Sequence, residues 1–237
     1  MQYIDKINHK YENMSYVSSV SPSLQSFLRS EPINDWVAKS MTNGSLCEIG
    51  CGMRSLFEHW DDIFPRRMTR ELMACDISSA AIEKAKANQE NKIINYFVQD
   101  ITSPFDRDNY ECFIDAHCLH SLNSLPDLFQ AMGNIFNALS DGGIVVGEVM
   151  MSHKNMTLEN GLEYFESESV LYKNEIPSRV FMSSHEWEDF FLSCGFTIKY
   201  FMCQSSIKFI PHDDRTEALP GDPECLRYVL EKSKENI

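Results

Sequence analysis

The chain has 237 residues, of which 43% are apolar and 24% are charged, so it is long enough to form one large domain without disulfide bonds or a structural metal. Its 35 acidic residues outnumber its 21 basic ones, and the net charge is −14. Because nucleic acids are held through clustered lysine and arginine, this balance predicts no nucleic-acid partner and favours a neutral or cationic small molecule. The chain has no apolar run near the ~18 residues that span a bilayer and no apolar signal region at its start, which predicts no membrane partner and no secretion.

The eight cysteines include no CxxC pair of the kind that binds zinc or carries out redox exchange. Most of them lie in apolar, strand-like segments, which is typical of reduced thiols that pack as small hydrophobic side chains. We therefore predict no metal site and a cytoplasmic protein. The cysteines are Cys47, Cys51, Cys75, Cys112, Cys118, Cys194, Cys203 and Cys225.

The first 44 residues contain no strand pattern, and we predict that residues 1–44 form a helical cap. Ser21 followed by Pro22 is typical of a helix start, and Asn34 is a second candidate N-cap. From residue 45 onwards, strand and helix patterns alternate. The predicted strands are residues 45–50, 71–77, 94–100, 111–117 and 144–150, and the predicted helices between them are residues 53–64, 78–90 and 125–139.

The last third of the chain has a less regular pattern. Residues 151–183 are polar and irregular, and we expect them to form an insertion that covers the substrate. HEWEDFFLSCG then predicts a helix, and two strand-like segments follow at residues 196–202 and 206–210. The tail ECLRYVLEKSKENI predicts a peripheral helix. Residues 45–237 are therefore expected to form one domain that contains the insertion.

The alternation of strands and helices predicts a three-layer, doubly wound α/β sheet of about seven mostly parallel strands with helices on both faces. In such sheets, ligands bind at the carboxyl ends of the strands, where the strand order reverses. This rule directs attention to residues 48–54, 76–78, 100–101 and 115–120.

The first of these turns carries two glycines, Gly50 and Gly52, which let the backbone bend sharply and approach a ligand. A dinucleotide fingerprint requires a third glycine where this chain has Ser55. Glu48 precedes the glycines, at a position where a phosphate would gain nothing from a negative charge. The turn therefore favours a cofactor with a positively charged group.

The next two strands each end at a carboxylate. Asp76 is placed to accept hydrogen bonds from both hydroxyls of a ribose, and its alternative role is to cap the helix that follows. Asp100 is placed to accept a hydrogen bond from an exocyclic amine, beside an apolar contact of the ring with Ile101.

Six segments in this order resemble the motifs of the class I S-adenosylmethionine-dependent methyltransferases. They are SLCEIGCGMRSL, ELMACDIS, INYFVQDI, YECFIDAHCLHSL, LFQAMGNIFNALSDGGIVV and HEWEDFFLSCGF. The resemblance runs from about residue 45 to 210 and implies S-adenosylmethionine as the cofactor, an antiparallel last strand and a methyltransferase activity. The residues that it implies for cofactor binding are Glu48, Gly50, Cys51, Gly52, Asp76, Ile77, Asp100, Ile101 and Asp115.

Two histidines, His117 and His120, leave the fourth strand on the side where the resemblance places the reactive methyl group. Histidine titrates near neutrality, so either is a candidate general base for a hydroxyl or amine acceptor. The alternative is that both simply hydrogen-bond the backbone of their turn.

Aromatic residues outside the common core suit contacts with a small organic acceptor. Each of them has the alternative role of packing the cap against the sheet. They are Tyr11, Tyr16, Phe27, Tyr164, Phe165 and Tyr172.

The sequence thus predicts methyl transfer from S-adenosylmethionine to an oxygen or nitrogen atom of a small-molecule acceptor. The alternatives are a methyltransferase that acts on a protein side chain and a protein that binds the cofactor without catalysis. A nicotinamide-dependent oxidoreductase is disfavoured by Ser55. A metal-assisted reaction through Asp115 is disfavoured because no second and third acid stand at the family's other ligand positions.

Overall fold

The computed structural model describes residues 3–15, 21–40, 44–64, 71–89, 93–159, 161–210 and 217–233. The helices of these residues are α1 (Tyr3–Asn13), α2 (Pro22–Arg29), α3 (Ile33–Ser40), α4 (Trp60–Ile63), α5 (Ser79–Asn88), α6 (Leu125–Ala138) and α7 (Ser184–Ser193). The strands are β1 (Ser45–Ile49), β2 (Glu71–Asp76), β3 (Ile94–Val98), β4 (Tyr110–Ala116), β5 (Leu139–Met151), β6 (Leu162–Phe165), β7 (Val170–Lys173), β8 (Ile176–Val180), β9 (Phe196–Lys208) and β10 (Glu224–Lys232). Two 3₁₀ turns, Leu56–His59 and Leu119–Ser121, follow β1 and β4.

Seven strands form one sheet in the order β3-β2-β1-β4-β5-β10-β9. Neighbouring strands among β1 to β5 pair in parallel, whereas β10 pairs antiparallel with both β5 and β9. The strand order reverses between β1 and β4, where a ligand crevice is expected. The predicted three-layer, mostly parallel sheet with an antiparallel last strand is confirmed.

The sheet is covered on both faces, which explains why its central strands are apolar without alternation. Every residue of β1 is buried. On one face, Phe113 and Val145 pack with the buried Trp187 of α7. On the other face, Val146 packs with Phe27 of α2 and other buried side chains. Adjacent residues of one strand, such as Val145 and Val146, therefore lie in separate cores.

Of two residues that the sequence suggests as helix N-caps, Ser78 caps a helix and Asn34 does not. The side chain of Ser78 accepts a hydrogen bond from the Ala81 N–H at 3.1 Å and caps α5. Asn34 is not an N-cap, because α3 begins one residue before it; its side-chain amide donates to the carbonyls of Leu28 at 3.1 Å and Ile63 at 3.3 Å. The asparagine thus joins α3 to neighbouring segments.

The predicted tail helix is wrong, because its first nine residues form β10 in the middle of the antiparallel part of the sheet. Leu226, Tyr228 and Leu230 lie on one face of this strand and Val229 lies on the other. This period of two is a strand pattern, and pairing on both edges satisfies the backbone. The two strand-like segments predicted before it are one continuous strand, β9.

The predicted irregular insertion is also more ordered than expected. Within residues 151–183, β6, β7 and β8 form a second, antiparallel sheet of three strands. It packs through Leu162, Leu171 and Phe181 on Met150 of β5, which creates a third apolar cluster. The sequence pattern did not predict these strands, because each strand is short and buries few residues. In the part of the chain that the structure describes, no helix is long and apolar enough to cross a membrane.

Candidate active site

A cavity of about 340 Å³ lies at the carboxyl ends of β1, β2, β3 and β4. It is within the size range of sites for small molecules and cofactors. Six of the residues predicted for cofactor binding or catalysis line it together: Gly50, Asp76, Ile77, Asp100, Ile101 and His117. The fold therefore brings the ends of four consecutive strands of the chain to one place.

The floor of the cavity is the turn after β1. Gly50 and Gly52 have φ angles of +69° and +58°, a conformation that glycine adopts without strain. A Cβ at position 50 would lie 2.6 Å from the Cβ of Cys118, so this turn packs directly against the turn after β4. Cys51 is buried, and its N–H donates to the carbonyl of Cys75 at 3.0 Å. Of this turn, Gly50 faces the cavity.

Asp76 ties the first two turns together. Its Oδ2 accepts a hydrogen bond from the Gly52 N–H at 3.0 Å, and its Oδ1 accepts one from the Ser78 N–H at 2.9 Å. Burial raises the pKa of Asp76, whereas these two hydrogen bonds lower it. An ionised carboxylate offers about four acceptor positions, so two remain for the hydroxyls of a ligand. Capping of α5 belongs to Ser78.

Glu48 does not line the cavity, although the sequence predicts a cofactor contact for it. Its Oε2 accepts hydrogen bonds from the Ser55 hydroxyl and from the Leu56 N–H, the latter at 2.9 Å. Burial raises the pKa of Glu48 to about 8. The carboxyl group therefore holds the start of the first 3₁₀ turn in place.

The third strand contributes a carboxylate and an apolar wall. Asp100 Oδ1 accepts hydrogen bonds from the N–H and the hydroxyl of Thr102, at 2.9 and 2.7 Å. The carbonyl of Ile101 accepts a hydrogen bond from Asn134 Nδ2 at 3.0 Å, which fixes this segment to α6. With Ile77, the side chain of Ile101 gives this end of the cavity an apolar surface.

Helix α1 covers the cavity. Tyr11 lines it, and the hydroxyl of Tyr11 would lie 3.2 Å from a Cβ at Gly52. Asn8 Oδ1 accepts a hydrogen bond from the Ser78 hydroxyl at 2.7 Å. Lys84 Nζ donates to three carbonyls at the end of α1, at 2.6 to 3.0 Å. Tyr11, predicted to contact the acceptor, therefore lies beside the glycine turn.

His117 lies on the opposite wall, directly after β4. Its φ of +68° is uncommon for a residue with a side chain, and such conformations concentrate at functional sites. Its Nε2 lies 3.1 Å from Glu148 Oε2, and its ring packs edge-on against Phe209 with 4.9 Å between the ring centres. About a quarter of its side chain, 28%, is exposed.

Glu148, which the sequence analysis missed, is the buried partner of His117. Its Oε1 accepts hydrogen bonds from Arg227 Nε at 2.7 Å and from the Ser23 hydroxyl at 2.8 Å. Burial would raise the pKa of Glu148, but hydrogen bonds from His117, Ser23 and Arg227 bring it below its ordinary value. The signal was a single acid inside the apolar run IVVGEVMM, since a buried charge needs partners.

His120 and Asp115 are buried beneath the cavity instead of lining it. His120 Nδ1 accepts a hydrogen bond from the Met150 N–H at 3.2 Å, and burial brings the pKa of His120 well below its ordinary value. Asp115 accepts hydrogen bonds from the Cys118 N–H at 2.6 Å and the Tyr228 hydroxyl at 2.7 Å. Burial raises the pKa of Asp115 to about 6. Both side chains hold the turn after β4.

The other predicted aromatic contacts lie elsewhere. Tyr16 is outside the described residues. Phe27 is buried under the guanidinium group of Arg227. Tyr164, Phe165 and Tyr172 belong to β6 and β7 of the small sheet, where they pack on other aromatic rings of that region. Across the described ranges, no group of three or more histidines, cysteines and acids is arranged to hold a metal ion.

Residues 47–147 match a family model described as a methyltransferase domain. Over 101 residues, the chain is 29% identical to the malonyl-[acyl-carrier protein] O-methyltransferase of Bacillus anthracis. That match covers 43% of this chain and 35% of the relative, so the chain spans about a third of the relative's length.

Solved structures of S-adenosylmethionine-dependent methyltransferases share the fold. One from Methanosarcina mazei superposes with a TM-score of 0.61 at 15% identity, covering 87% of this chain and 99% of that one. One from Mesorhizobium loti gives a TM-score of 0.55 at 15% identity, covering 85% of this chain and 98% of that one. The likeness thus extends beyond the matched domain to most of the chain.

Proposed function

We propose that the chain is a class I S-adenosylmethionine-dependent methyltransferase that transfers a methyl group from S-adenosylmethionine to an oxygen or nitrogen atom of a small-molecule acceptor. The methyltransferase-domain match over residues 47–147 and the fold shared with solved methyltransferases support this proposal. The observation that carries the proposal is the cavity itself. A carboxylate with spare acceptor positions, Asp76, and a histidine with a buried acidic partner, His117, line the same space.

The residues of the cavity fit the chemistry of the cofactor. Asp76 offers acceptors to the ribose hydroxyls, and Asp100 offers one to the exocyclic amine of adenine. Ile77 and Ile101 give the flat ring an apolar contact. The backbone of the Gly50 turn takes the methionine portion, because a glycine adds no side chain of its own between the backbone and the cavity. When bound, S-adenosylmethionine supplies a methyl group on a positively charged sulfur.

The protein then has two tasks. The first is alignment, because displacement at the methyl carbon requires the acceptor, the methyl group and the sulfur in one line. We assign this alignment to the walls formed by α1 and by the turn after β4, which line the cavity. The second task is removal of the acceptor's proton, which falls to His117 as the general base and is worth about 10²–10⁴-fold in rate.

We assign acceptor recognition to the two parts added to the common fold. Residues 1–44 supply α1, which covers the cavity, and residues 151–183 form the small sheet beyond His117. Phe209, which packs on the His117 ring, belongs to the apolar cluster under that sheet. A small organic acceptor would enter between these two parts. The net charge of −14 favours an acceptor that is neutral or cationic.

Calorimetry with S-adenosylmethionine, its demethylated product and NAD tests the cofactor assignment. We expect binding of the first two in the micromolar range and no heat with NAD. A screen of metabolite extracts with methyl-labelled cofactor then identifies the acceptor. Binding of NAD alone would refute the proposal. Binding of S-adenosylmethionine with no label transferred to any metabolite, but transfer to a protein, would move the acceptor to a protein side chain.

A further inference from the structure

Glu148 connects His117 to two elements that are distant from it in the chain. Its Oε2 lies 3.1 Å from His117 Nε2, while its Oε1 accepts hydrogen bonds from Arg227 Nε and the Ser23 hydroxyl. The carboxylate is fully buried on β5, between Ser23 at the start of α2 and Arg227 on β10. The two oxygens therefore have different and fixed partners.

Arg227 is held on several sides and keeps its own orientation. Its Nη2 donates to the Ser23 carbonyl at 3.0 Å and lies 3.1 Å from the Ser23 hydroxyl. Its guanidinium group stacks over the ring of Phe27, 5.2 Å from the ring centre. Because arginine only donates hydrogen bonds, the atom of residue 148 that faces it must be an acceptor.

These contacts determine the tautomer of neutral His117. A carboxylate only accepts hydrogen bonds, so the hydrogen between the two groups belongs to His117 Nε2. Nδ1 then keeps its lone pair, and the described residues form no hydrogen bond to it. His117 lines the cavity, so a ligand there meets a ring that has one buried N–H and one proton-accepting nitrogen.

We propose that Glu148, together with Ser23 and Arg227, is a positioning residue that holds His117 as the Nε2–H tautomer with Nδ1 as the base. The inference rests on the methyl transfer proposed above. In that reaction, the O–H or N–H bond of the acceptor breaks and its proton moves to Nδ1. The acceptor's electron pair forms the bond to the methyl carbon, the carbon–sulfur bond breaks, and its electron pair stays on sulfur. The Glu148 carboxylate stabilises the imidazolium ring until the proton passes to solvent.

Replacing Glu148 with glutamine is expected to change the tautomer of His117. Arg227 and Ser23 both donate towards the Oε1 position, so the amide oxygen of the substituted side chain must lie there. Its NH₂ group then faces His117 Nε2 and donates to it. Nε2 becomes an acceptor, and the neutral ring changes to the Nδ1–H tautomer, whose Nδ1 accepts no proton. In a Ser-His-Asp triad the equivalent change lowers turnover by about 10⁴-fold for this reason.

The test is nitrogen NMR of protein with ¹⁵N-labelled histidine rings, at a pH where the rings are neutral and with no ligand present. His117→Asn identifies the signals of residue 117 among the seven histidines. The variant is Glu148→Gln. Its matched control is Glu224→Gln, the same substitution on β10, where the carboxylate bonds Lys208 and lies 4.0 Å from His153.

We expect Nε2–H at residue 117 in the wild type and in Glu224→Gln, and Nδ1–H in Glu148→Gln. Nδ1–H in the wild type would overturn the proposal, and so would a folded Glu148→Gln protein that keeps Nε2–H. The wild-type spectrum decides on its own if Glu148→Gln does not fold. Once an acceptor is known, Glu148→Gln should lower kcat about 10²–10⁴-fold and leave cofactor affinity within about threefold.

The tautomer is read without cofactor or acceptor, so the two proposals fail separately. A protein that does not bind S-adenosylmethionine refutes the proposed function but leaves the tautomer result intact. A protein that binds and transfers methyl groups with Nδ1–H at residue 117 refutes the positioning role of Glu148.

Discussion

The two walls of the cavity are built in different ways. On one side, which we name the turn side, the carboxylates of Glu48, Asp76 and Asp100 bond backbone groups two to 24 residues away. On the other side, which we name the network side, three side chains contact Glu148. They are His117, Ser23 and Arg227, which lie 31, 125 and 79 residues from Glu148 in the sequence, respectively. The turn side is assembled from contacts within one turn or between two successive turns, and the network side from distant parts of the chain.

We propose that this difference separates cofactor binding from the chemical step. The carboxylates of the turn side are held by hydrogen bonds from backbone groups, and we expect Asp76 and Asp100 to present their remaining acceptor positions to a cofactor. The network side depends on the packing of α2, β5 and β10, and it adds a proton-accepting group to the cavity. We expect changes on the turn side to alter cofactor affinity or folding, and changes on the network side to alter turnover.

The largest effect is expected from His117→Gly. Glycine accepts the φ of +68°, so the backbone should remain in place while the base is lost. Turnover should fall about 10²–10⁴-fold, and added imidazole should restore part of it because the vacated space adjoins the cavity. Cofactor affinity by calorimetry should hold within about threefold. Turnover close to the wild type would mean that alignment alone drives the reaction.

Next in size is the pH dependence of stability that Glu48 imposes. Its pKa is about 8 in the folded protein and about 4.3 in an unfolded chain, so the folded state keeps a proton that the unfolded state releases between these values. This contribution to stability is present below pH ~4.3 and is lost as the pH rises through 8. Glu48→Gln should therefore gain stability relative to the wild type by roughly 3 kcal/mol between pH 5 and 8.

Urea unfolding at several pH values measures this difference. Asp115 shifts in the same direction, with a pKa of about 6, but it is present in both proteins and cancels from the comparison. Parallel stability curves for Glu48→Gln and the wild type would contradict the expectation. Cofactor affinity should change less than stability, since Glu48 does not line the cavity.

Asp76→Ala should weaken cofactor binding about tenfold or more, equivalent to ~1.4 kcal/mol or above. The same change leaves the N–H groups of Gly52 and Ser78 without their acceptor, so the free energy of unfolding should also fall by about 1–3 kcal/mol. Asp76→Asn, which keeps one acceptor oxygen, is the matched control. Its cofactor affinity and its free energy of unfolding should lie between those of the wild type and those of Asp76→Ala. An unchanged affinity with a lower Tm would reduce Asp76 to a structural residue.

The smallest effect is expected where α1 meets the turn side. Asn8→Ala removes the acceptor of the Ser78 hydroxyl, a partly buried hydrogen bond worth ~1 kcal/mol. Cofactor affinity should fall about two- to fivefold if α1 helps to close the cavity. Tm should change little, because Ser78 still caps α5 through the Ala81 N–H. A loss of stability without a loss of affinity would mean that α1 only packs on α5.

Most of the fold could be predicted because the sequence patterns that indicate its strands and turns each lie within a short stretch of the chain. The apolar runs of the strands and the glycines after β1 lie within windows of about ten residues, and their order along the chain fixes the parallel sheet. The two errors have different causes. Residues 224–232 were predicted as a helix because their partners, β5 and β9, lie distant in sequence. The small sheet was missed because each of its strands buries few residues.

The sequence alone determined the positions of Gly50, Asp76, Asp100 and His117 at strand ends, because strand length and turn chemistry are properties of neighbouring residues. The tertiary structure decided which side chains face the cavity. In the folded protein, Glu48 accepts a hydrogen bond from the first 3₁₀ turn instead of lining the cavity, and His117 contacts Glu148. The physical reason is that a buried charge must find partners wherever packing brings them, and those partners are not set by sequence distance.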